Sequence, residues 1–571
     1  MNKKTWLLIF SLCVGIIFSL PNIIPVINLK HYPNMIFTPL NGGDENLYAG
    51  QINQVVNNNF SNLPVHLPWF GAIIFGFLTR FIGSIDTVLI LSDFILPIIT
   101  FYLIYRLSFK LSRHFWASII ASLSAIFISP LTTKIPPITK SLFTSLINTL
   151  TLKTPYFFSF NRLIPPQFTF IIFMGFLWFL HNVINSSKKN YPLLTGLLSG
   201  LLAYNYFFEW SASLAILFIA FCFSFFYQSK ARSKRLFLSL IISLAISSFY
   251  LYQAIFITHP DKSIMFGKIN GRFIEPLLTV RYLLFGLITF KLSKTKQRLF
   301  LTSIVLAPVL LLNQQLITGF TIHPGHWPYA VFEPLVLVIG VILLSQFKFF
   351  KNKIITTILV SLILLFSLLN QLKITAQYQQ LHYLTSPQAD LITWLNQQAP
   401  DSILTLDKRL NRYLPVYAHH QIFLPYGSYS DLSIDQLWQR INLSFALLHF
   451  NNQSITSVLS NTQFVGQMFD QTYNYHQRSD LTGFTFPEDI KEKISQKHPV
   501  LSLGLRYIPD NLKTKSVLAA QKIGNPPPCQ IPFQYLIIGP FENTLNPELY
   551  QDTFRLIYQN PDYNIYQTIC N

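Results

Sequence analysis

Residues 68–83 read PWFGAIIFGFLTRFIG, and how this stretch lies against a bilayer decides the topology of the whole chain. If it spans, every later loop is inverted and the basic connections that follow face outward. If it lies flat as an interfacial helix, those connections all face inward, as the positive-inside rule requires. The second placement, on the outer membrane surface, is the one adopted.

Around it, apolar segments of roughly 16 to 23 residues, the length that crosses a bilayer core, fall near residues 6–28, 85–107, 115–131, 167–184, 193–208, 210–227, 236–257, 276–290, 299–315, 328–346 and 354–371. They predict an α-helical multi-pass membrane protein with about eleven transmembrane helices. The first segment opens with Lys3 and Lys4, as a signal peptide does. Pro21 and Asn22 then lead into more apolar sequence without a small-residue cleavage site, so it reads as an uncleaved anchor.

Between these segments lie basic connections: Arg106, Lys110 and Arg113; Lys188 and Lys189; Lys230, Arg232, Lys234 and Arg235; Lys291, Lys294, Lys296 and Arg298; Lys348, Lys351 and Lys353. With Lys3 and Lys4 they put 18 of the 28 Lys and Arg of residues 1–371 on one side, which the rule makes cytoplasmic. All eight acids of this region (Asp44, Glu45, Asp86, Asp93, Glu209, Asp261, Glu275 and Glu333) then fall outside or in the outer part of a helix. Acids within a bilayer are costly and face a water-filled cavity or a partner. Asp93, Glu209 and Glu333 therefore predict a polar cavity opening outward. The plainer reading makes them helix-end residues at the interface, Glu209 above all.

Composition agrees with a membrane protein. Of 571 residues 51% are hydrophobic and 11% charged, and mean hydropathy is +0.39, outside the soluble globular class. The net charge of +19 belongs to residues 1–371, where 28 bases face eight acids; residues 372–571 hold 14 against 15. Because the bases sit in short runs between apolar segments, they act as topology determinants, and no nucleic-acid partner is expected. Two regions follow: a polytopic transmembrane domain over 1–371, with an outer loop at 29–68, and an extracytoplasmic soluble α/β domain over 372–571, in a protein of the cell membrane.

In the tail, SPQADLITWLNQQAPDSILTL reads as helix, turn and strand with Leu391, Trp394 and Leu395 on one face, and QYLIIGP, FRLIYQN and YNIYQTI read as strands. Cys13 and Cys222 lie in apolar runs. Cys529 and Cys570 can pair in an oxidising compartment or stay as free thiols, and no CxxC-type metal spacing occurs.

The outer loop contains NGGDENLYAGQI, in which two glycines free the backbone to turn before a helix whose apolar stripe is Tyr48, Ile52 and Val55. Asp44 and Glu45 stand at its start. One reading makes Asp44 an N-cap and Glu45 a complement to the helix dipole. The other makes them catalytic.

An acidic pair in the first outer loop of a many-spanned protein resembles the GT-C glycosyltransferase superfamily, which includes oligosaccharyltransferase catalytic subunits, protein O-mannosyltransferases and aminoarabinose transferases of lipid A. FNRLIPPQFTF (160–170) is similar to an Arg-x-x-x-Pro-Gln pattern of bacterial members. NQQLITGFTIHPGHW (313–327) and the tail end IYQNPDYNIYQTI are similar to stretches of uncharacterised relatives, and 68–83 looks like the family's juxtamembrane helices. No WWDxG-like motif stands in the tail, which separates the chain from the oligosaccharyltransferases. The resemblance implies a GT-C-like fold, with Asp44 and Glu45 serving as catalytic base or as ligands of a divalent metal, Mg or Mn. It also implies inverting transfer of a sugar from a polyprenyl-phosphate donor to a glycan, lipid or protein acceptor outside the cell.

Such chemistry needs a groove for the lipid, cations for the phosphate and a carboxylate to deprotonate the acceptor hydroxyl. Arg162 is a candidate phosphate ligand, since guanidinium matches phosphate oxygens bidentately, though an interfacial snorkelling Arg fits it equally. Asp261, Lys262, Lys268 and Arg272, among glycines, form a second basic patch that could hold a phosphate. His323 and His326 flank Pro324 and Gly325, so helical i, i+3 zinc ligation is ruled out and hydrogen bonding to substrate or headgroups is the better role. Glu209 completes the candidate substrate-binding set. The alternative function is a membrane transporter or lipid-linked-sugar flippase, against which stand the absence of an internal repeat and the 200-residue tail.

Overall fold

A computed structural model describes residues 2–28, 35–37, 45–58, 69–133, 156–227, 229–257, 268–323, 325–347, 350, 352–378, 383–427, 430–469, 472–473, 507–550 and 552–569. The membrane half carries α1 (Lys3–Asn28), β1 (Met35–Phe37), α2 (Glu45–Val56), α3 (Trp69–Ile82), α4 (Ile85–Ser112), α5 (Phe115–Leu123), α6 (Thr169–Asn185), α7 (Asn190–Leu202), α8 (Phe207–Tyr227), α9 (Lys230–Tyr252), β2 (Lys268–Asn270), α10 (Pro276–Leu292), α11 (Thr295–Leu312), β3 (Phe320–Ile322), α12 (Glu333–Leu344) and α13 (Lys353–Tyr378). A π-helical turn precedes α6 (Leu163–Phe168) and another precedes α12 (Trp327–Phe332).

Among the described residues nine helical stretches are long and apolar enough to cross a membrane, and the chain is a multi-pass membrane protein. In lipid only a helix or a closed barrel satisfies its own backbone. Many serines inside these helices fold their hydroxyls back onto the preceding turn, as Ser19 does onto Gly15 O at 2.8 Å, while Ser108 Oγ of α4 is buried without a partner among the described residues. Large apolar side chains stay exposed along the outer helices, among them Phe226 at 74% and Ile354 at 72%, surfaces that suit lipid better than water.

The two other expected spans are shorter. The helix expected over 193–208 is α7, 13 residues, which ends at Leu202 in a turn, so Glu209 opens α8 instead. The helix expected over 276–290 is α10, 17 residues. The expected last span, 354–371, lies inside α13, which runs on to Tyr378. Helix α3, expected over 68–83, has 14 residues; at 1.5 Å per residue that is about 21 Å, short of a bilayer core of about 30 Å. It buries Gly71, Ala72, Phe75, Gly76 and Thr79 and exposes Phe77, Leu78 and Phe81, so both its faces are largely apolar.

Charge separates along the bundle axis. At one end Lys110 Nζ donates to Asn182 Oδ1 at 2.6 Å, Gln297 Nε2 to Leu111 O at 2.6 Å and Arg235 Nε to Val183 O at 3.3 Å. These contacts gather the basic connections, and Trp6, just after Lys3 and Lys4, lies 5.9 Å from the Trp116 ring there. At the other end Asn22 and Gln167 both donate to Asp93 at 2.9 Å, and Arg281 Nη2 meets Glu333 Oε2 at 2.6 Å. Every described acid of residues 1–371 belongs to this second end.

The tail joins the acidic end. It comprises β4 (Tyr383–Thr385), α14 (Ser386–Leu395), β5 (Ser402–Leu404), α15 (Lys408–Tyr417), β6 (Gln421–Ile422), α16 (Ile434–Leu447), α17 (Asn452–Ser460), α18 (Thr462–Phe469), α19 (Asp510–Ile523), β7 (Tyr535–Ile538), β8 (Phe554–Gln559) and β9 (Asn564–Thr568). The expected helix, turn and strand appear as α14 and β5, and the three expected strands as β7, β8 and β9. They build a mixed five-stranded sheet, β6-β5-β7-β9-β8, with β5 parallel to β6 and β7 and the β8–β9 hairpin antiparallel. Helix starts follow capping rules: the Thr385 and Gln388 pair forms a capping box, and Asp407 accepts from Arg409 N and Leu410 N. Cys529 is disulfide-bonded, Cys13 and Cys222 are free, and Cys570 lies outside the described residues.

The tail does not stand apart. Strand β1 pairs antiparallel with β4, Ile36 opposite Leu384. One hydrophobic core runs from Tyr48 and Ile52 of α2 and Leu163 and Ile164 of the membrane half to Leu391, Leu414 and Ile565 of the tail. Asn53 Nδ2 donates to Pro415 O at 3.1 Å and Ala418 O at 2.9 Å, and Gly50 meets Pro415 where a Cβ would come within 3.1 Å.

Candidate active site

Helix α2 is wedged between tail and bundle. Its first residue, Glu45, is 1% exposed, and the stripe Tyr48, Ile52 and Val55 is buried. Asp44 lies outside the described residues. Glu45 acts electrostatically on Tyr417 of α15, a residue the sequence did not single out, and the Tyr417 hydroxyl donates to Asp86 Oδ1 of α4 at 2.9 Å. Burial first, then the Asp86 carboxylate, pushes the Tyr417 hydroxyl well above the ordinary phenol range, with Glu45 adding to it.

Next to α2, through Leu163 and Ile164, comes the turn that carries Arg162. Arg162 acts electrostatically on His326, so both reach one region. His326 Nδ1 shares a hydrogen bond with Tyr206 OH at 2.8 Å, its ring stacks on Phe208 at 4.6 Å, and the His323 ring is 5.2 Å away. Burial first, then His323 and Arg162, holds His326 down to about 3, so the imidazole is neutral and able to exchange hydrogen bonds. Trp327 Nε1 donates to Ser211 Oγ at 2.8 Å, which fixes the loop.

Glu209, in the first turn of α8, is 0% exposed. Thr169 faces it, yet neither carboxylate oxygen has a hydrogen-bond partner among the described residues. Asp93, by contrast, is held by Asn22 and Gln167, the Gln of the FNRLIPPQFTF stretch. A cavity of about 20 Å³ beside it, enough for a single water, touches Phe18, Asn161, Gln371 and Thr375. Glu333 is buried but paired, accepting from Arg281 and from Tyr282 OH at 2.8 Å.

The described members of the second basic patch contact other residues. Arg272 is exposed and donates to Leu316 O, and Lys268 Nζ lies 4.5 Å over the Phe320 ring. Strand β2 does pair with β3, setting Lys268 opposite Ile322, the residue before His323. Asp261 and Lys262 lie outside the described residues. No group of three or more His, Cys, Asp or Glu that could hold a metal forms among the described residues.

Between α2 and the tail opens a cleft of about 290 Å³ whose lining includes Gln51, Gln54, Asn57, Asn411, His419 and Tyr426. Gln51, 5% exposed, has both amide atoms unpartnered among the described residues, and so has Asn411 its Oδ1. The amides of α2 carry no periodic signature that sets them apart from a solvated face, and sequence reasoning passed over them. It passed over Gly196 and Gly200 too, although a small-xxx-small pattern in an apolar segment is legible. They bring α7 against α9, where added Cβ atoms would come within 2.6 Å of Ile242 and Ile246.

No protein family matches this chain, and no curated protein does.

Proposed function

We propose that the protein is a GT-C-like glycosyltransferase that moves a sugar from a polyprenyl-phosphate donor to an acceptor outside the cell, with inversion at the anomeric carbon. The observation that carries this is the meeting of α2, which starts at Glu45, with the Arg162 and His326 cluster at the acidic end of the bundle, under the tail. By the positive-inside rule the basic end faces the cytoplasm, so the acidic end and the tail are extracytoplasmic and α3 rests on the outer surface.

In this reading the Asp44 carboxylate takes the proton of an acceptor hydroxyl. The oxygen attacks the anomeric carbon, the bond from that carbon to the lipid phosphate breaks, and the phosphate leaves with the electron pair. Arg162 neutralises the departing phosphate, and the neutral His326, positioned by Tyr206, supplies a hydrogen bond. The amide-lined cleft between α2 and the tail is suited to a polyhydroxyl acceptor, because Gln51 and Asn411 offer unused donors and acceptors. Glu45 is the sole described member of the pair that would ligate a Mg or Mn ion, and no step above needs one.

The test is release of lipid phosphate from polyprenyl-phosphate sugars by membranes holding the protein. Asp44→Asn keeps the size of the side chain but not the base, and should cost about two to four orders of magnitude in rate. Glu45→Gln should be milder. Wild-type turnover in Asp44→Asn would end the catalytic reading.

A further inference from the structure

The tail holds a second cavity, about 410 Å³, that the reading above does not use. Lys408, Arg409 and Arg412 of α15 enter its lining, Gln467 of α18 faces them, and Phe464 and Phe541 supply apolar walls. The single acid among the described lining residues, Asp407, is engaged as the cap of α15, accepting from Arg409 N at 2.6 Å and Leu410 N at 3.2 Å. The cavity is therefore cationic.

Two buried polar groups here lack partners among the described residues. Gln467 is 2% exposed, and neither its Oε1 nor its Nε2 has a hydrogen-bond partner among the described residues. Arg412 Nε and Nη2 are likewise buried and without a partner among the described residues. Native interiors seldom leave such donors idle, since each has given up water and received nothing in exchange. A guanidinium edge offering two N–H groups matches two oxygens of one oxyanion, and the Gln467 amide adds a third donor. The space exceeds what an oxyanion alone would fill and falls in the range of small-molecule sites.

We propose that this cavity binds a phosphate monoester carried on a small organic body, with Arg412 and Gln467 as its direct ligands, Lys408 contributing charge, and Phe464 and Phe541 receiving the organic part. The site does not depend on the glycosyltransferase reading.

Full-length protein in neutral detergent is titrated at fixed ionic strength with inorganic phosphate, glucose 6-phosphate and glucose, and binding is read by calorimetry. Expected are saturable binding of both phosphates, tighter for glucose 6-phosphate, and none for glucose. Arg412→Gln should weaken binding by at least about tenfold, as losing a bidentate charged contact does. Lys408→Gln, at an exposed position that leaves the fold intact, should weaken it by about threefold. Nanodiscs with and without phosphatidic acid identify the source: displacement of glucose 6-phosphate marks a lipid headgroup, and its persistence marks a soluble ester. No saturable response to either phosphate below about 10 mM, weaker than a site of millimolar affinity would give, overturns the proposal. So does unchanged affinity in both variants.

Discussion

Tyr417, in the last turn of α15, donates its hydroxyl proton to Asp86 Oδ1, 2.9 Å away in the first turn of α4. Tyr383 OH reaches Pro25 O at 3.0 Å in the same way, and the β1–β4 pair lies between the two halves. Tail and bundle thus share hydrogen bonds, a strand pair and a hydrophobic core.

A tail expressed alone from residue 379 should therefore fail to fold, because Leu384, Leu391, Leu410 and Ile403 lose the apolar cover that α2 and the 163–164 turn provide. A soluble, monomeric tail with a sharp thermal transition would contradict this. In the full chain, Tyr417→Phe should cost about 1–3 kcal/mol by leaving the half-buried Asp86 without its donor, seen as faster proteolytic release of the tail.

The close approach of α7 to α9 leaves no room for side chains at Gly196 and Gly200. Either Gly→Leu change should lower the melting temperature in detergent, with overpacking costing about 1–3 kcal/mol or more. Gly325, which has nothing within 4 Å of its added Cβ, is the control, and equal effects at all three sites would disprove the packing account.

Fusions report sidedness. Alkaline phosphatase placed after Tyr378 should be active and a fluorescent protein there dark, if the acidic end is outside. The opposite pattern would mean that α3 crosses the membrane and that the basic end faces outward.

His326 predicts a pH dependence. Its folded value, about 3, lies below the ordinary 6.5, so as pH falls through 6.5 the unfolded chain takes up a proton that the folded chain refuses. Stability from this group is full above about 6.5 and declines toward 3. The melting temperature of the wild type should drop more between pH 7.5 and pH 4.5 than that of His326→Asn. Parallel curves would show that His326 does not govern the acid sensitivity.

Much of the candidate site was legible in part. Arg162, Glu209 and His326 stood out as polar or charged residues in apolar surroundings, and the bundle brings the elements bearing them to one end. Lys268 and Arg272 stood out for the same reason, yet they settle against Phe320 and Leu316, partners brought close by the pairing of β2 with β3. Tyr417 and Gln51 gave no signal, since their surroundings come from residues hundreds of positions away.

What the sequence determined by itself was local in origin. Long apolar runs must become helices in lipid, where the backbone has no other partner, and the alternating strands of the tail announce themselves through period and turn residues. The segregation of bases from acids along the chain also foretold the two ends of the bundle. Tertiary structure alone decided that α2 is shared between the two halves and that α7 can be short. It also decided that Asp93 is satisfied by Asn22 and Gln167 while Glu209 and Arg412 keep polar atoms without a partner among the described residues. Those outcomes rest on which surfaces meet, and a buried carboxylate or guanidinium acquires its character from neighbours that the packing supplies.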